Sequence, residues 1–533
     1  MKIIIAGVVS GLLLALSYPP LEWSWLVWIA LVPLLWAMHS NGSSRTVFFA
    51  GFATGLAFYL ISLFPLTSGH EWTGWMVESG PEARQALIER QTIILKILWV
   101  VLAAWGAVFW GVFAWLSARL SKGSPVRLSM LAPPLVILIT EWLRSVTTWD
   151  YQWAFIGNAA IPFEPVLQLS ALGGVWLMTW FVVLVNVGIF ALLKGGHRQA
   201  RRAIPSAIAA VVLLVMLGGQ LRVASFESRL QDRDDGFLAA AVQFYQKKTT
   251  VEDYASFGLE NAYLEILVQL MQGAVGEVEL IVLPESVAIG TLSLDGSVAS
   301  GIPEQRHWSL DHWNQAVNWI LEQGETDPTI VIGLDTVEAG RLHNSLGVWE
   351  REGLLGVYHK QRLVPFGEYQ PSVFRFFGVR GRTQYAAGGD SSTTSVTSVK
   401  VGHFVCQEVL IPSVIRHSVK DGAELLVSGG NDGVFSNGTV AQIHARLARL
   451  RAVESGRFVV RSMRTGISAI ISPVGREVAR SQKDEPYVAV AEVYPFGART
   501  PYVRLGDWPL VGGFLVLLIS LTSGFRAIRT PLG

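Results

Sequence analysis

The sequence predicts a multi-pass α-helical membrane domain that carries an inserted α/β domain. Hydrophobic residues make up 51% of the chain and charged residues only 16%, a composition too apolar for a single soluble globule. The apolar excess is concentrated in residues 1–225 and 503–533, as long runs with few charges. Residues 237–495 instead alternate short β-rich runs with helical or turn-rich segments, which is typical of a layered α/β domain.

The membrane domain is predicted from eight apolar runs, each approaching the ~20 residues that a helix needs to cross a bilayer. Seven precede the inserted domain and one follows it. They lie near residues 3–18, 23–39, 46–66, 92–117, 128–146, 166–193, 203–221 and 506–525. Lys2 before the first run is compatible with a signal peptide, but Tyr18-Pro19-Pro20 offers no small-residue cleavage site. We therefore expect the first helix to be retained.

The loop charges predict the orientation of these helices, because Lys and Arg concentrate on the side of a membrane that is not translocated. One side of the eight-helix arrangement holds Lys2, Arg45, Arg119, Lys122, Arg127, Lys194, Arg198, Arg201, Arg202, Arg526 and Arg529. The opposite short loops hold mainly Arg84, Arg90 and Arg144. We therefore expect both termini in the cytoplasm and residues 237–495 on the outer face of a bacterial inner membrane, in the periplasm or its equivalent.

Charge and motif content argue against several other functions. The formal net charge is +1, which provides no basic surface for nucleic acid. The ten histidines form no zinc-spaced cluster, and the glycine-containing fragment at residues 428–430 lacks the Lys-Ser/Thr of a phosphate loop. We expect neither a metal nor a cofactor.

The inserted domain is predicted to contain ten strands and three helices. The strands are expected at residues 237–243, 279–283, 329–333, 345–349, 356–359, 400–405, 424–428, 458–462, 467–472 and 487–493. Apolar residues at helical spacing predict helices at residues 251–273, 305–323 and 440–454.

Three predicted strand ends carry the candidate catalytic residues. Cys406, the only cysteine of the chain, ends one apolar run, Glu285 follows a second and Lys360 follows a third. A thiol with a pKa near ~8.5 is mostly protonated at neutral pH, so it needs a base or a positive charge to act as a nucleophile. Glu285 is a candidate base, and Lys360 a candidate for stabilising the thiolate and an oxyanion. Glu368 would hold the lysine ammonium in place or take part in proton transfer.

Each of these residues also has a purely structural interpretation. A free cysteine is often a small buried hydrophobe, which fits Cys406 as well as a reactive thiol does. Glu285 would cap a helix, Lys360 would end a strand in solvent, and Glu368 would be an acid in a surface turn. Only the combination favours one active site.

In combination, these segments resemble the Glu-Lys-Cys triad of the nitrilase, or carbon-nitrogen hydrolase, superfamily. Residues 283–286 (Leu-Pro-Glu-Ser) are similar to its glutamate motif, residues 358–369 to its lysine motif and residues 404–408 to its nucleophile motif. With the seven-plus-one helices, and with residues 141–144 (Glu-Trp-Leu-Arg) and 174–176 (Gly-Val-Trp), the chain resembles the membrane branch of that superfamily, the apolipoprotein N-acyltransferases.

This resemblance implies an αββα sandwich and catalysis by Glu285, Lys360 and Cys406, supported by Glu368 and Glu408. It implies that a phospholipid donates an acyl chain to the cysteine as a thioester, and that the α-amine of a diacylglyceryl-cysteine lipoprotein accepts it, without a cofactor. Because both substrates are lipids, the site is expected to open at the bilayer surface. One alternative is a divergent membrane amidase or acyltransferase with another substrate, such as a protein of a conjugative-transfer system. A non-catalytic membrane assembly protein is another, and the retained triad argues against it.

Three candidate substrate contacts are positions that depart from the family pattern. Gln407 replaces a residue that is usually aromatic, Val434 replaces a tryptophan, and Arg464 falls within the family's Thr-Asn-Asn-Gly segment. These changes are expected to alter the walls that receive the lipid and the amine. Arg464 suits either an anionic head group or an ion pair with Asp432.

Three further candidates are expected near the membrane surface. Phe374 and Phe377 follow the lysine motif and suit either a lipid-facing lid or packing between domains. Arg144, at the end of the fifth predicted helix, suits either a head-group contact or an ion pair with Glu141 at helical i,i+3 spacing.

Overall fold

The chain forms two compact units in a computed structural model. The structure describes residues 1–73, 81–121, 126–148, 150–194, 198–243, 278–285, 291–299, 307–322, 327–365, 367–369, 385–389, 393–396, 398–435, 438–483 and 485–529. The first unit comprises Met1–Ser68, Glu89–Gln231 and Thr500–Gly533, and the second comprises Gly69–Ile88 and Asp232–Arg499.

The N-terminal and C-terminal regions are helical. Their α-helices are Lys2–Leu16, Val32–Met38, Ser44–Ser62, Pro81–Ser121, Val126–Thr147, Glu164–Leu167, Ser170–Lys194, Arg198–Gln231, Pro501–Leu505 and Trp508–Arg529. Short 3-10 helices occupy Ser24–Trp28, Phe64–Thr73 and Ile156–Ala160.

Five helices among the described residues are long and apolar enough to cross a membrane. They are Ser44–Ser68, Thr92–Ser121, Met130–Thr147, Ser170–Lys194 and Pro205–Gln231. Three shorter apolar helices, Lys2–Leu16, Ser24–Met38 and Trp508–Leu518, occupy the remaining predicted runs. The predicted domain of apolar helices is confirmed, and the number of eight crossings stays a prediction.

Small residues let two helices of the first unit approach closely. A Cβ added to Gly7 of Lys2–Leu16 would lie 2.1 Å from the carbonyl oxygen of Ala50 in Ser44–Ser62. Such contacts are typical of membrane helices, which associate through packing because lipid is as apolar as their side chains.

The last helix packs against Ser170–Lys194. That helix is interrupted at Gly174, whose φ of +64° lies in the left-handed region that favours glycine. Near the interruption, the indole N–H of Trp176 donates to Asp507 Oδ1 at 3.0 Å. The indole N–H of Trp508 donates to a backbone carbonyl of the interrupted helix at 2.8 Å.

The second unit contains two β-sheets. The strands of the first are β1 (Phe237–Gln243), β2 (Val278–Val282), β3 (Thr291–Ser293), β4 (His307–Trp308), β5 (Thr329–Glu338), β6 (Arg341–Glu350), β7 (Gly353–His359) and β14 (Tyr487–Val493). Those of the second are β8 (Thr393–Val396), β9 (Val399–Val405), β10 (Leu425–Gly430), β11 (Val459–Met463), β12 (Ala469–Ile471) and β13 (Glu477–Arg480).

Parallel strands occupy the middle of each sheet. In the first, β1, β2 and β5 run parallel, with β14 antiparallel on one side and β6 and β7 on the other. In the second, β9, β10 and β11 run parallel, flanked by antiparallel β8 and β12. Strands covered on both faces read as near-continuous apolar runs, which is why these strands are recognisable in the sequence.

The two sheets pack face to face. A Cβ added to Gly429 of β10 would lie 2.9 Å from Leu346 Cδ2 of β6. The hydroxyl of Ser462 on β11 donates to the Val242 carbonyl of β1 at 2.5 Å. Helix Leu310–Leu321 packs in the hydrophobic core of the first sheet.

Helices Pro412–Lys420 and Thr439–Ser455 contact the second sheet, on β9 and on β11 and β12 respectively. The αββα sandwich that the family resemblance implied is therefore confirmed. The predicted helix at residues 251–273 lies outside the described residues. The pattern missed β3, β4, β8, β13 and helix Pro412–Lys420, because two to four residues of strand are too few to show a period and the helix is largely polar.

Candidate active site

The nucleophile candidate lies at a strained turn. β9 ends at Val405, and Cys406 begins the 3-10 helix Cys406–Leu410 with a φ of +51°. A non-glycine residue in this region stores strain that the surrounding structure must support. Gly430 at the end of β10 passes close by, since a Cβ added there would lie 3.3 Å from the Cys406 Cα. The turn directs the thiol away from the strand, toward the other sheet.

Glu285 and Lys360 reach the nucleophile from the first sheet. Glu285 lies three residues beyond β2, and its carboxylate is close enough to the Cys406 thiol to raise the pKa of that thiol. Lys360 directly follows β7, and its Nζ lies 4.0 Å from Glu285 Oε1 and 2.8 Å from Glu368 Oε1. All four residues are at most 9% exposed. The structure therefore brings the predicted triad and its supporting glutamate into one buried cluster.

Asn344 of β6 joins the two carboxylates. Its Nδ2 donates to Glu285 Oε1 at 2.5 Å and to Glu368 Oε1 at 2.7 Å. Its backbone carbonyl accepts from the Lys360 N–H at 2.8 Å. One amide side chain thus fixes both carboxylates, and its backbone anchors the lysine.

Burial and neighbouring charges set the protonation of the cluster. Burial raises the pKa of the Cys406 thiol well above its usual range, Glu285 raises it further, and Lys360 opposes both. Burial also raises the pKa of Glu285 against the influence of the ammonium. At Lys360 burial favours the neutral amine, but Glu368 and Glu285 outweigh it and raise the pKa. The resting site therefore pairs a thiol with a carboxylate of increased proton affinity and a permanent cation.

Glu408 ties the lysine segment to the nucleophile turn. Its Oε1 accepts from the backbone N–H groups of Gln361 at 2.8 Å and Arg362 at 3.0 Å. Its Oε2 accepts from the Tyr358 hydroxyl at 2.9 Å and from the Val405 N–H at 2.7 Å. Hydrogen bonds to a charged group are about twice as strong as neutral ones, so this carboxylate holds the two halves of the site together.

Asp432, just beyond β10, forms a second buried ionic cluster near the nucleophile. Its Oδ1 lies 2.7 Å from His444 Nδ1, and its Oδ2 lies 3.4 Å from the Arg461 guanidinium. Burial raises the pKa of Asp432, but these two partners outweigh it and hold the pKa below its usual range. Arg464 donates its backbone N–H to the Gly430 carbonyl at 2.8 Å. Its two expected roles, an ion pair with Asp432 and a contact with an anionic head group, stay predictions.

The other predicted substrate contacts are placed only in part. Gln407 is 7% exposed beside the nucleophile, and its Nε2 donates to a carbonyl of the lysine segment at 3.3 Å. Val434 ends the 3-10 helix Asp432–Val434, and its side chain is not described. Phe374 and Phe377 lie outside the described residues. Their roles stay predictions.

Arg144 lies in the first unit and does not pair with Glu141. Its guanidinium donates to the Trp153 carbonyl at 2.9 Å and lies over the Phe155 ring, 4.7 Å from the centroid. Glu141 accepts instead from the Ile156 N–H at 2.8 Å. The predicted i,i+3 ion pair is therefore wrong, and the head-group contact stays a prediction.

Sequence reasoning did not select Asn344, His444 or Arg461. Asn344 and Arg461 interrupt apolar strand runs, and a polar residue at such a position must be hydrogen-bonded when buried. That signal was available, but it does not identify the partner. His444 lies on helix Thr439–Ser455, which is buried on nearly all sides, so the apolar spacing that predicts the helix does not single out His444.

Two family comparisons match this chain. The carbon-nitrogen hydrolase family matches residues 238–498, and the N-terminal domain of apolipoprotein N-acyltransferases matches residues 10–188. Among solved structures, a mutant amidase of the nitrilase superfamily from Nesterenkonia covers 53% of this chain and 98% of its own, with 16% identity and a TM-score of 0.38.

The chain is also similar to curated bacterial proteins over nearly its full length. Apolipoprotein N-acyltransferase from Pasteurella multocida is 26% identical over 98% of this chain and 95% of its own. The protein of the same name from Geobacter metallireducens is 28% identical over 96% of this chain and 94% of its own. That from Synechocystis is 26% identical over 97% of this chain and 99% of its own. With its apolar helices, this is a bacterial membrane protein and an acyltransferase. The chain belongs to the apolipoprotein N-acyltransferase family, the membrane branch of the carbon-nitrogen hydrolases.

Proposed function

We propose that this chain transfers an acyl chain from a membrane phospholipid, through a thioester on Cys406, to the N-terminal amine of a diacylglyceryl-cysteine lipoprotein. The observation that carries the proposal is the buried cluster of Cys406, Glu285 and Lys360. Membership of a family named for N-acylation of apolipoproteins supports the acceptor class. The apolar helices support a donor drawn from the bilayer.

In the first half-reaction, Glu285 takes the thiol proton as Cys406 attacks the ester carbonyl of the phospholipid. The Lys360 ammonium stabilises the oxyanion of the tetrahedral intermediate. Collapse forms the thioester, and the leaving lysophospholipid alkoxide takes the proton from Glu285. Because burial raises the pKa of Glu285, its carboxyl can both accept and return this proton.

In the second half-reaction, the acceptor amine attacks the thioester in the same site. Glu285 takes a proton from the attacking nitrogen and returns it to the departing thiolate of Cys406. Lys360 again stabilises the oxyanion. Dividing acyl transfer into two steps on one nucleophile lets donor and acceptor use the site in turn.

Supporting and substrate-contact roles complete the proposal. Glu368 holds the lysine ammonium, and Glu408 holds the lysine segment against the nucleophile turn. The residues proposed to contact the lipid or the amine are Gln407, Val434, Arg464, Phe374, Phe377 and Arg144. Their support is their position in the sequence pattern, together with the burial of Gln407 beside Cys406.

The proposed domain organisation places the site outside the cytoplasm. Residues 1–225 supply seven membrane helices, residues 237–495 form the catalytic domain in the periplasm, and residues 503–533 supply the last helix and a short cytoplasmic tail. This places the protein in the inner membrane of a bacterium. The support is the distribution of Lys and Arg among the short loops.

The intact mass of the detergent-solubilised protein tests the function. After incubation with phosphatidylethanolamine alone, we expect the mass to increase by one acyl chain, and hydroxylamine to remove the increment because it cleaves thioesters. Cys406→Ser, which keeps the size of the side chain and lacks the thiol, should show no hydroxylamine-sensitive increment. Folded wild-type protein without an adduct would contradict the phospholipid donor and favour the divergent amidase or acyltransferase.

A reporter fusion tests the orientation. Alkaline phosphatase, which is active only outside the cytoplasm, should be active when fused after residue 237, because the seven-helix arrangement places this position in the periplasm. The same reporter fused after Lys194, predicted on the cytoplasmic side, should be inactive. Activity at the second position and not at the first would contradict the orientation.

A further inference from the structure

Asp335 is a carboxylate facing the active site that the mechanism above does not use. It lies on β5 directly opposite Asn344 of β6. Residues opposite each other in an antiparallel pair project from the same face of the sheet. Since Asn344 donates to Glu285 and Glu368 from that face, Asp335 faces the same site. The residue is half-buried.

The surroundings of Asp335 adjust its affinity for a proton. The Tyr385 hydroxyl lies 3.1 Å from each of its carboxylate oxygens. Burial raises the pKa of Asp335 to about 7; Tyr385 opposes this shift, and the charges of Glu285 and Glu368 add to it. Among the described residues, these three are the groups whose interactions shift the pKa of Asp335; Lys360 and Cys406 belong to the same site. His359, on the adjacent β7, belongs to the opposite face of the sheet, where it hydrogen-bonds Ser345.

Asn344, opposite Asp335, has a buried oxygen without a hydrogen-bond donor among the described groups. The residue is 4% exposed, and its Nδ2 already donates to two carboxylates, which fixes the orientation of the amide. Its Oδ1 is buried and accepts no hydrogen bond from any described group. Buried acceptors in folded proteins are nearly always satisfied, so this oxygen lacks a donor. A ligand carrying several N–H groups would supply it.

The proposed second half-reaction requires such a ligand and must dispose of a proton. An α-amino group has a pKa of about 7.7–8.0, so the acceptor arrives largely as an ammonium. Its reaction with the thioester gives an amide, the Cys406 thiol and one released proton. Glu285 accounts only for the proton that moves from nitrogen to sulfur. The additional proton must leave first, because an ammonium has no lone pair with which to attack.

We propose that Asp335, together with Asn344 Oδ1, binds the α-ammonium of the acceptor and takes the first of the two protons that this group loses in the reaction. The proton then passes to solvent, and the free amine attacks the thioester. This inference rests on the proposed function and assigns the acceptor subsite: two oxygen acceptors for a primary ammonium, positioned beside Glu285. Tyr385 positions the carboxylate through its hydroxyl.

The test separates the two half-reactions in the full-length, detergent-solubilised protein. For Asp335→Asn we expect acyl-enzyme formation from phosphatidylethanolamine, and its cleavage by hydroxylamine, at close to wild-type rates, because neither step requires removal of a proton from an ammonium. N-acylation of a synthetic diacylglyceryl-cysteine peptide should fall about 100-fold near pH 6.5, the order of a lost general base. The deficit should narrow toward pH ~9, where the peptide amine is already neutral.

Two further variants keep the inference falsifiable. Tyr385→Phe removes a donor to the carboxylate and should shift the acid limb of the N-acylation profile to higher pH, which a merely structural role would not do. Asp327→Asn, at an exposed aspartate paired with Arg351, is the matched control and should leave the profile unchanged. A profile of Asp335→Asn parallel to that of wild type, or an equal loss in both half-reactions, would overturn the acceptor subsite. Absence of any acyl-enzyme in wild type would instead overturn the proposed function, and this inference with it.

Discussion

Replacing Cys406 with alanine is expected to reduce N-acylation by at least about 10⁴-fold, the scale on which removal of a covalent nucleophile acts. The chain has one cysteine, so no other thiol can take over the acyl group. The rate should be measured by mass spectrometry on a diacylglyceryl-cysteine peptide with phosphatidylethanolamine as donor. An unchanged thermal unfolding midpoint would show that alanine is tolerated at this position. Turnover within tenfold of wild type would exclude the covalent mechanism.

Glu285→Gln is the informative companion of that variant. The glutamine still offers an oxygen to Asn344, but it cannot accept the thiol proton, so turnover should fall about 10²–10⁴-fold. The Glu285 charge raises the pKa of the Cys406 thiol, and its removal should therefore lower that pKa. Alkylation by iodoacetamide, which reports on this single thiol, should then begin at lower pH although turnover is lost. Parallel losses of both properties would show that Glu285 acts only through the shape of the site.

The second large effect is expected for Lys360→Met. Loss of the ammonium removes the proposed oxyanion stabiliser, which typically costs about 10²–10³-fold in turnover. It also leaves Glu285 and Glu368 buried without their cation, and breaking a buried pair costs about 3–5 kcal/mol. Without Lys360 the pKa of Glu285, already raised by burial, rises further. A carboxyl whose folded pKa is raised loses stability as pH increases above its unfolded pKa of about 4.3, so the destabilisation should be larger at neutral than at acidic pH.

The double variant Lys360→Met/Glu368→Gln separates the loss of stability from the loss of turnover. Removing one carboxylate charge together with the ammonium should restore much of the stability, because Glu285 no longer lies beside a second buried anion. Turnover should remain as low as in the single variant. Chemical denaturation in detergent and the peptide acylation rate are the two measurements. Recovery of turnover with stability would show that Lys360 serves the fold and not the chemistry.

Much of the fold was predictable because parallel strands that are covered on both faces have continuous apolar sequences, as in Phe237–Gln243. Helices long enough to cross a bilayer have an equally clear composition. Short edge strands such as Thr393–Val396 carry no comparable pattern, since four residues with a half-covered face resemble a turn. The local sequence therefore predicts the centre of each sheet better than its edges.

The candidate site divides in the same way. Cys406, Glu285 and Lys360 were recognisable because each follows an apolar strand run, and strand ends of a layered domain converge. Their hydrogen-bond partners were not, because Asn344 lies 59 residues from Glu285 and 24 from Glu368 along the chain. The contact between Arg461 and Asp432 was not predicted, because it joins β11 to the segment that follows β10. Pairing across strands depends on register, which single residues do not encode.

The contact of the last helix with Ser170–Lys194 determines the order in which the protein can be assembled. The Trp176–Asp507 hydrogen bond joins residues 331 positions apart, with Asp232–Arg499 of the second unit synthesised between them. At about 5–20 residues per second, translation takes roughly 15–65 s to cover that distance. During this time the helices made first lack their final packing partner. Completion of the first unit thus follows synthesis of Asp232–Arg499, and the last helix is the final packing partner to become available.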